Sequence, residues 1–261
     1  MDSKTRRSTI DERLRADGEA SIVDLASYFG TSEMTIRRDL EVLELEGLAR
    51  RIRGGAISVQ SRSFEPPILQ RAAQGADAKR RIGIAAAGLV RENETVVLDV
   101  GTTVHEMAKA LRGDLVITAI TSSLLIATEL ATKPRVRTIV TGGVVRHGEM
   151  SLVGLRARAS FDDLNCDAVF LGVAGLSDVR GLTEYNLDDA DVKRSAMASA
   201  RRKIVLADAS KLGQVALVTF ARARDVDLLV TDASSDHEVV RRLVDLDVEV
   251  LHVEPSAKET P

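Results

Sequence analysis

Two sets of polar residues in this 261-residue chain have spacings that suit binding chemistry. The first is Ser32-x-x-Thr35-Ile36-Arg37-Arg38-Asp39-Leu40. Arginine and hydroxyl side chains in the first turns of a helix can donate hydrogen bonds to base edges and to phosphates. The second is scattered over several strand ends. Asp99-Val100-Gly101-Thr102-Thr103 follows an apolar run and opens a helix, so free N–H groups and two hydroxyls converge where an anion could sit. Thr121-Ser122-Ser123 repeats the device, Gly142-Gly143 closes a third run, and Gly172 and Gly175 end a fourth. Glu184, Asp188, Lys193, Asp208 and Lys211 are the charged candidates nearby. A glycine or threonine in such a place is often plain turn or cap chemistry, but several on one sheet edge point to a polar, phosphorylated ligand. Neither a Walker lysine loop nor GxGxxG occurs, so a small sugar phosphate fits better than a nucleoside triphosphate or dinucleotide.

The elements that hold the first set are short helices. Ile10 and Leu14 recur at i, i+4 between charged residues, and Gly18 ends that segment. Ser21 caps a second helix, with Asp24 three residues on and Ile22, Leu25, Ala26 and Phe29 as its buried stripe before Gly30. Thr31 or Ser32 caps a third, whose Ile36, Leu40 and Leu43 pack inward and leave Thr35, Arg37 and Arg38 on other faces. Two helices joined by a glycine turn place the second in the major groove. LARRIRGGAISV then reads as a β-hairpin wing in which Arg50, Arg51 and Arg53 meet phosphates. The competing reading is a solvated mixed-charge face, with Arg37 paired to Glu41 at i, i+4. Ten Lys and Arg against eleven Asp and Glu up to Gly55 do not decide between them.

Ser58 to Gln74 lacks periodicity and holds Pro66-Pro67, which cannot continue a helix. The expected organisation is 1–57 winged helix-turn-helix, 58–75 linker and 76–255 large domain, opening with a helix from Ala76 to Val90. Beyond it, apolar runs at 95–100, 115–120, 136–143, 167–175, 203–210, 226–232 and 248–253 alternate with helical segments. The fold class is α/β, a Rossmann-like, mostly parallel sandwich covered on both faces. In such sheets ligands bind beyond the carboxyl ends of the strands. Lys193 is open to two readings, an exposed helix face or a ligand contact, whereas Asp208 and Lys211 face the cleft.

Composition narrows the function classes. With 44% hydrophobic and 29% charged residues there is no bilayer-length apolar run, and the charged N-terminus lacks a signal core, so a cytoplasmic protein is expected. The net charge of −3 argues against coating nucleic acid through bulk charge. One cysteine, Cys166, and four scattered histidines give no disulfide, no metal set and no cofactor. Cys166 reads as a buried structural thiol.

The Ser32–Leu40 block, with the preceding helix, Leu43, Gly47 and Arg53-Gly54-Gly55, closely resembles the DNA-binding signature of DeoR-family transcriptional regulators. DVGTTV, TSSLLIA, Gly142-Gly143, GLTE, Val192 to Arg194 and ADASKLG resemble, in order and spacing, the effector-sensing domain of the same family. That domain is similar in fold to ribose-5-phosphate isomerase, glucosamine-6-phosphate deaminase and the CoA transferases. The resemblance implies an operator-binding regulator of carbohydrate metabolism, a repressor relieved by a phosphorylated sugar and working as a homodimer or homotetramer. It implies effector contacts around Asp99, Gly101, Thr102, Thr103, Thr121, Ser122, Ser123, Gly142, Gly143, Gly175, Glu184, Lys193 and Lys211. Two alternatives stand beside it. One is a sugar-phosphate isomerase-like enzyme in which Asp99, Glu184, Asp208 and Lys211 move protons; the other is a protein-binding winged helix.

Overall fold

The computed structural model describes residues 2–45, 48–58, 62 and 64–254; Gly47, residues 59–61 and 63 of the expected linker, and Pro255 lie outside it. The chain divides into two compact units, Met1–Pro66 and Pro67–Pro261.

In the first unit α1 (Ser3–Asp17), β1 (Glu19–Ser21), α2 (Ile22–Phe29) and α3 (Glu33–Leu45) precede β2 (Ala49–Ile52) and β3 (Gly55–Ser58). Ile10, Leu14, Ile22, Leu25, Ile36, Leu40 and Leu43 form one core, the stripe the spacing predicts. Ser21 Oγ accepts the Asp24 N–H, and Gly30 ends α2 in the left-handed conformation that only glycine adopts without strain. The wing is a three-stranded antiparallel sheet in the order β1-β3-β2, one strand more than the expected hairpin. Gly55 is obligatory there, since a Cβ would stand 2.3 Å from the Ala20 carbonyl oxygen.

The second unit opens with α4 (Ile68–Ala73), a helix inside the stretch read as linker, and α5 (Ala76–Ala87). Pro66-Pro67 does not break it, because Pro67 is its N-cap, where no intrahelical N–H is needed. Then follow β4 (Thr95–Leu98), α6 (Thr102–Ala110), β5 (Ile117–Thr121), α7 (Leu124–Leu130) and β6 (Val136–Val140). A hairpin of β7 (Val144–Arg146) and β8 (Ser151–Val153) leads to α8 (Leu155–Ala159) and β9 (Cys166–Gly172). After β10 (Gly175–Ser177), β11 (Gly181–Glu184) and α9 (Leu187–Ala198) come β12 (Ala200–Leu206), β13 (Val218–Ala221), β14 (Leu228–Thr231), α10 (Glu238–Val244) and β15 (Glu249–His252).

The seven apolar runs are the seven strands of one sheet, in the order β15-β14-β12-β9-β4-β5-β6 and parallel throughout. Alternate residues face two cores: Val97, Val169, Leu171 and Val205 on one side, Val96, Leu98, Phe170 and Leu206 on the other. That burial on both faces is why the runs read as continuous rather than alternating. The chain order reverses between β4 and β9, so the carboxyl ends of these two strands flank the switch point. A second, antiparallel sheet, β10-β11-β13, carries GLTE beside it. Cys166 is buried at the start of β9, and burial pushes its thiol pKa up, away from nucleophilic use. No described helix is long and apolar enough to cross a membrane.

Candidate functional site

On α3, Ser32 Oγ accepts the Thr35 N–H at 3.2 Å and lies 3.0 Å from Thr35 Oγ1, which caps the helix and fixes both hydroxyls near the exposed surface. Arg37 and Arg38 are exposed. Arg37 makes a loose pair with Glu33 at 3.3 Å, and Arg38 makes no ion pair with any described residue. Glu41, which spacing offers as the partner of Arg37, pairs instead with Arg51 at 2.7 Å. Arg51 Nε also meets Glu44 at 2.8 Å, and its backbone N–H donates to the same carboxylate. Its guanidinium is therefore the strut between wing and reading helix rather than a free phosphate ligand. Arg50 lies over the Phe64 ring at 5.5 Å, while Arg53, in the wing turn, is exposed. Asp39 faces the other way: it is buried and pairs with Arg6 at 2.5 Å and Arg7 at 3.7 Å, locking α1 onto α3.

In the large unit, the switch point gathers charge. Lys193, on α9, is 1% exposed. Its ammonium bonds the Asp99 carboxylate and the Gly172 carbonyl at 2.9 Å, and lies 3.3 Å from Glu184. Of the two sequence readings of Lys193, the exposed helix face is ruled out, since the residue is a buried cation. Asp99 also accepts the Gly172 N–H at 3.0 Å, which ties the ends of β4 and β9 together. Burial works against the Lys193 ammonium, but Asp99, Glu184 and Asp189 outweigh it and hold its pKa above the ordinary lysine value. Asp189, one helical turn before Lys193, bonds Arg146 of β7 and accepts from Ser151 of β8 at 3.1 Å. Burial pushes the Asp189 pKa up, and Arg146 opposes that.

Around this buried cluster lie groups with spare hydrogen-bonding capacity. The hydroxyls of Thr102 and Thr103, at the N-terminus of α6, make no hydrogen bond to a described residue, nor does that of Ser122. Gly101 holds φ +111°, a backbone that side chains rarely adopt. Lys211 sits in the short helix after β12 without an ion pair to a described residue, and burial lowers its pKa while Asp208 opposes that. Lys79 of α5 lies 3.6 Å from Asp208 and donates to the carbonyls of Arg71 and Gln74, the last turn of α4. Arg71 in turn pairs with Glu149 of the β7–β8 turn.

Several expected contacts have local tasks. Thr121 Oγ1 accepts the Ser123 N–H at 3.0 Å, and Ser123 caps α7 by accepting from Ile126 at 3.3 Å. Gly142 donates its N–H to Ser160 Oγ at 3.3 Å. A Cβ on Gly143 would stand 2.5 Å from the Val153 carbonyl oxygen, and one on Gly175 would stand 2.3 Å from that of Gln214; both are packing glycines. Asp188 is exposed on α9. Sequence reasoning missed Lys79, Arg71, Arg146, Ser151 and Asp189. Only Asp189 left a signal, its i, i+4 spacing to Lys193.

A winged helix-turn-helix joined to a parallel α/β unit with a buried charged cluster at its switch point defines a DNA-binding regulator with a sensor domain. Residues 6–62 match the DeoR-like helix-turn-helix domain and residues 74–233 the DeoR C terminal sensor domain. The chain belongs to the DeoR family of transcriptional regulators. It is 34% identical to the transcriptional regulator GlpR of Haloferax volcanii, over 90% of this chain and 92% of that one. A candidate aga operon transcriptional repressor from Escherichia coli O157:H7 is 33% identical, over 95% and 93%. The glycerol-3-phosphate regulon repressor of Escherichia coli K12 is 29% identical, over 94% and 97%. These alignments run through both units, so the relatives share the whole architecture.

Proposed function

We propose that this protein is a cytoplasmic repressor of a carbohydrate operon, acting as a homodimer or homotetramer and released from its operator by a phosphorylated sugar. Thr35, Arg37 and Arg38 read the major groove, with Ser32 as the cap that fixes the reading helix. Arg50 and Arg53 meet phosphates, and Arg51 positions the wing. The observations that carry the effector reading are a largely buried Lys211 ammonium with no ion pair to a described residue, acted on by Asp208 and Glu184, and the Thr102 and Thr103 hydroxyls at the N-terminus of α6, which bond no described residue, after a switch point closed by Asp99, Gly172 and Lys193. A phosphate supplies the anion those groups lack, and Glu184 is placed to accept from sugar hydroxyls. Gly101 lets the backbone approach the ligand, and Ser122 offers a further hydroxyl. Thr121, Ser123, Gly142, Gly143 and Gly175 shape the cleft through the local bonds and packing described above.

The alternative of catalysis has one supporting feature, a lysine between two carboxylates as in proton-transfer sites. Lys193 and Asp99 are buried and committed to each other, which suits scaffolding better. Incubation with pentose and hexose phosphates should give no turnover, while a thermal-shift series with the same compounds should give a stabilising ligand. Loss of that shift in Thr102→Ala, with operator binding retained, supports the assignment; an unchanged shift removes the α6 loop from the site.

A further inference from the structure

We propose that the free edge of β6, together with the β7–β8 hairpin, is the surface on which a second copy of this chain assembles. Strands of a parallel sheet are normally covered on both faces. At the β15 edge this holds: Val250 packs on one core and Leu251 on the other. That edge also carries Glu249 and follows Asp245 and Asp247, charges that deter another strand from pairing. At the β6 edge it fails. Val136 is buried at the start of the strand, but Ile139 and Val140 belong to neither core and are 37% and 42% exposed. Being consecutive, they point to opposite faces, so neither face of this half-strand is covered.

The chain runs from there into β7, where Val144 and Val145, again consecutive, are 70% and 50% exposed. Met150 in the hairpin turn and Leu155 at the start of α8 are exposed as well. Six large apolar side chains within seventeen residues expose roughly 600 Å² in all, against the ~800 Å² each partner buries in a stable interface.

A second copy fits this surface better than an unrelated partner. An edge strand pairing with its own image about a two-fold axis supplies both halves of the contact. Arg137 is the only charge on β6, the hairpin charges Arg146 and Glu149 are engaged within the subunit by Asp189 and Arg71, and Arg158 of α8 pairs with Asp191, so only Arg137 and Arg156 stand as exposed charges beside these apolar residues. The operator reading, on which this part of the case rests, also calls for two reading helices related by a two-fold.

The experiment is light scattering on the full chain at micromolar concentration, without DNA or effector. Wild type should show at least twice the 28.2 kDa chain mass, and Val144→Asp with Val145→Asp should fall to one chain with its circular dichroism unchanged. Val244→Asp, an equally exposed apolar site on α10, should keep the assembly. Leu155→Glu is the second probe should the double variant fail to fold, and it too should fall to one chain. A monomeric wild type, or the wild-type mass in both folded edge variants, would overturn the proposal. Because mass needs neither DNA nor ligand, failure of the repressor reading would appear separately, as absent operator binding by a correctly assembled protein.

Discussion

Lys193 shows how far a residue's role can depart from its local sequence. Removing its ammonium leaves Asp99 and Glu184 buried without a cation, so Lys193→Met should destabilise the chain by about 3–5 kcal/mol in urea unfolding. The pH dependence follows from its raised pKa. A lysine whose folded pKa exceeds its ordinary value of 10.5 contributes stability that is fully present below that pH and is lost as pH rises through the folded value. On the alkaline side the stability gap between wild type and Lys193→Met should therefore begin to close only above about pH 10.5. A gap that closes with rising pH already below that value would contradict the paired, charged state. On the DNA side, Arg38→Ala should cost about 1–3 kcal/mol and relax sequence preference, whereas Arg53→Ala should weaken all DNA alike and lower the salt slope. Arg51→Ala should instead lower the melting temperature, since Glu41 and Glu44 lose their strut. Equal losses at Arg38 and Arg53 across sequences, in a salt-titrated binding assay, would remove Arg38 from the reading face.

At the scale of elements, Asp39 separates structure from recognition within one motif. It lies between Arg38 and Leu40 yet points into the unit, where Arg6 and Arg7 hold it. Asp39→Asn should loosen α1 from α3 and lower both stability and DNA affinity, while the salt slope, set by phosphate contacts, stays as in wild type. The helices and the seven sheet strands were legible because apolar periodicity and continuous apolar runs are local signals. The hairpin strands β7 and β8, three residues each, are too short to show a period. The Arg51 strut was not legible because its partners on α3 lie seven and ten residues back. Lys193 was ambiguous because Asp99, 94 residues away, meets it only once β4 and α9 are packed. Gly143 and Gly175 looked like ligand glycines because a close backbone approach leaves the same mark in sequence as an anion cradle does.

For the whole molecule, the DNA-reading unit and the sensor unit each have their own core, and a ligand in one can act on the other only through a difference in affinity between two states. An effector at a hundred times its Kd adds about 2.7 kcal/mol to the form that binds it, enough to shift occupancy by roughly a hundredfold if the DNA-bound form excludes it. The hairpin is suited to take part, since Arg146 and Ser151 reach α9 through Asp189, and Glu149 reaches α4, the helix that follows Pro66-Pro67. The most direct test is an anisotropy titration of selected operator DNA with the full chain, with and without a panel of sugar phosphates. One phosphorylated sugar should weaken operator binding by about tenfold or more, and Thr102→Ala should bind the operator as wild type does but ignore that sugar. Operator affinity unmoved by every sugar phosphate, or a Thr102→Ala variant that still responds, would contradict the account.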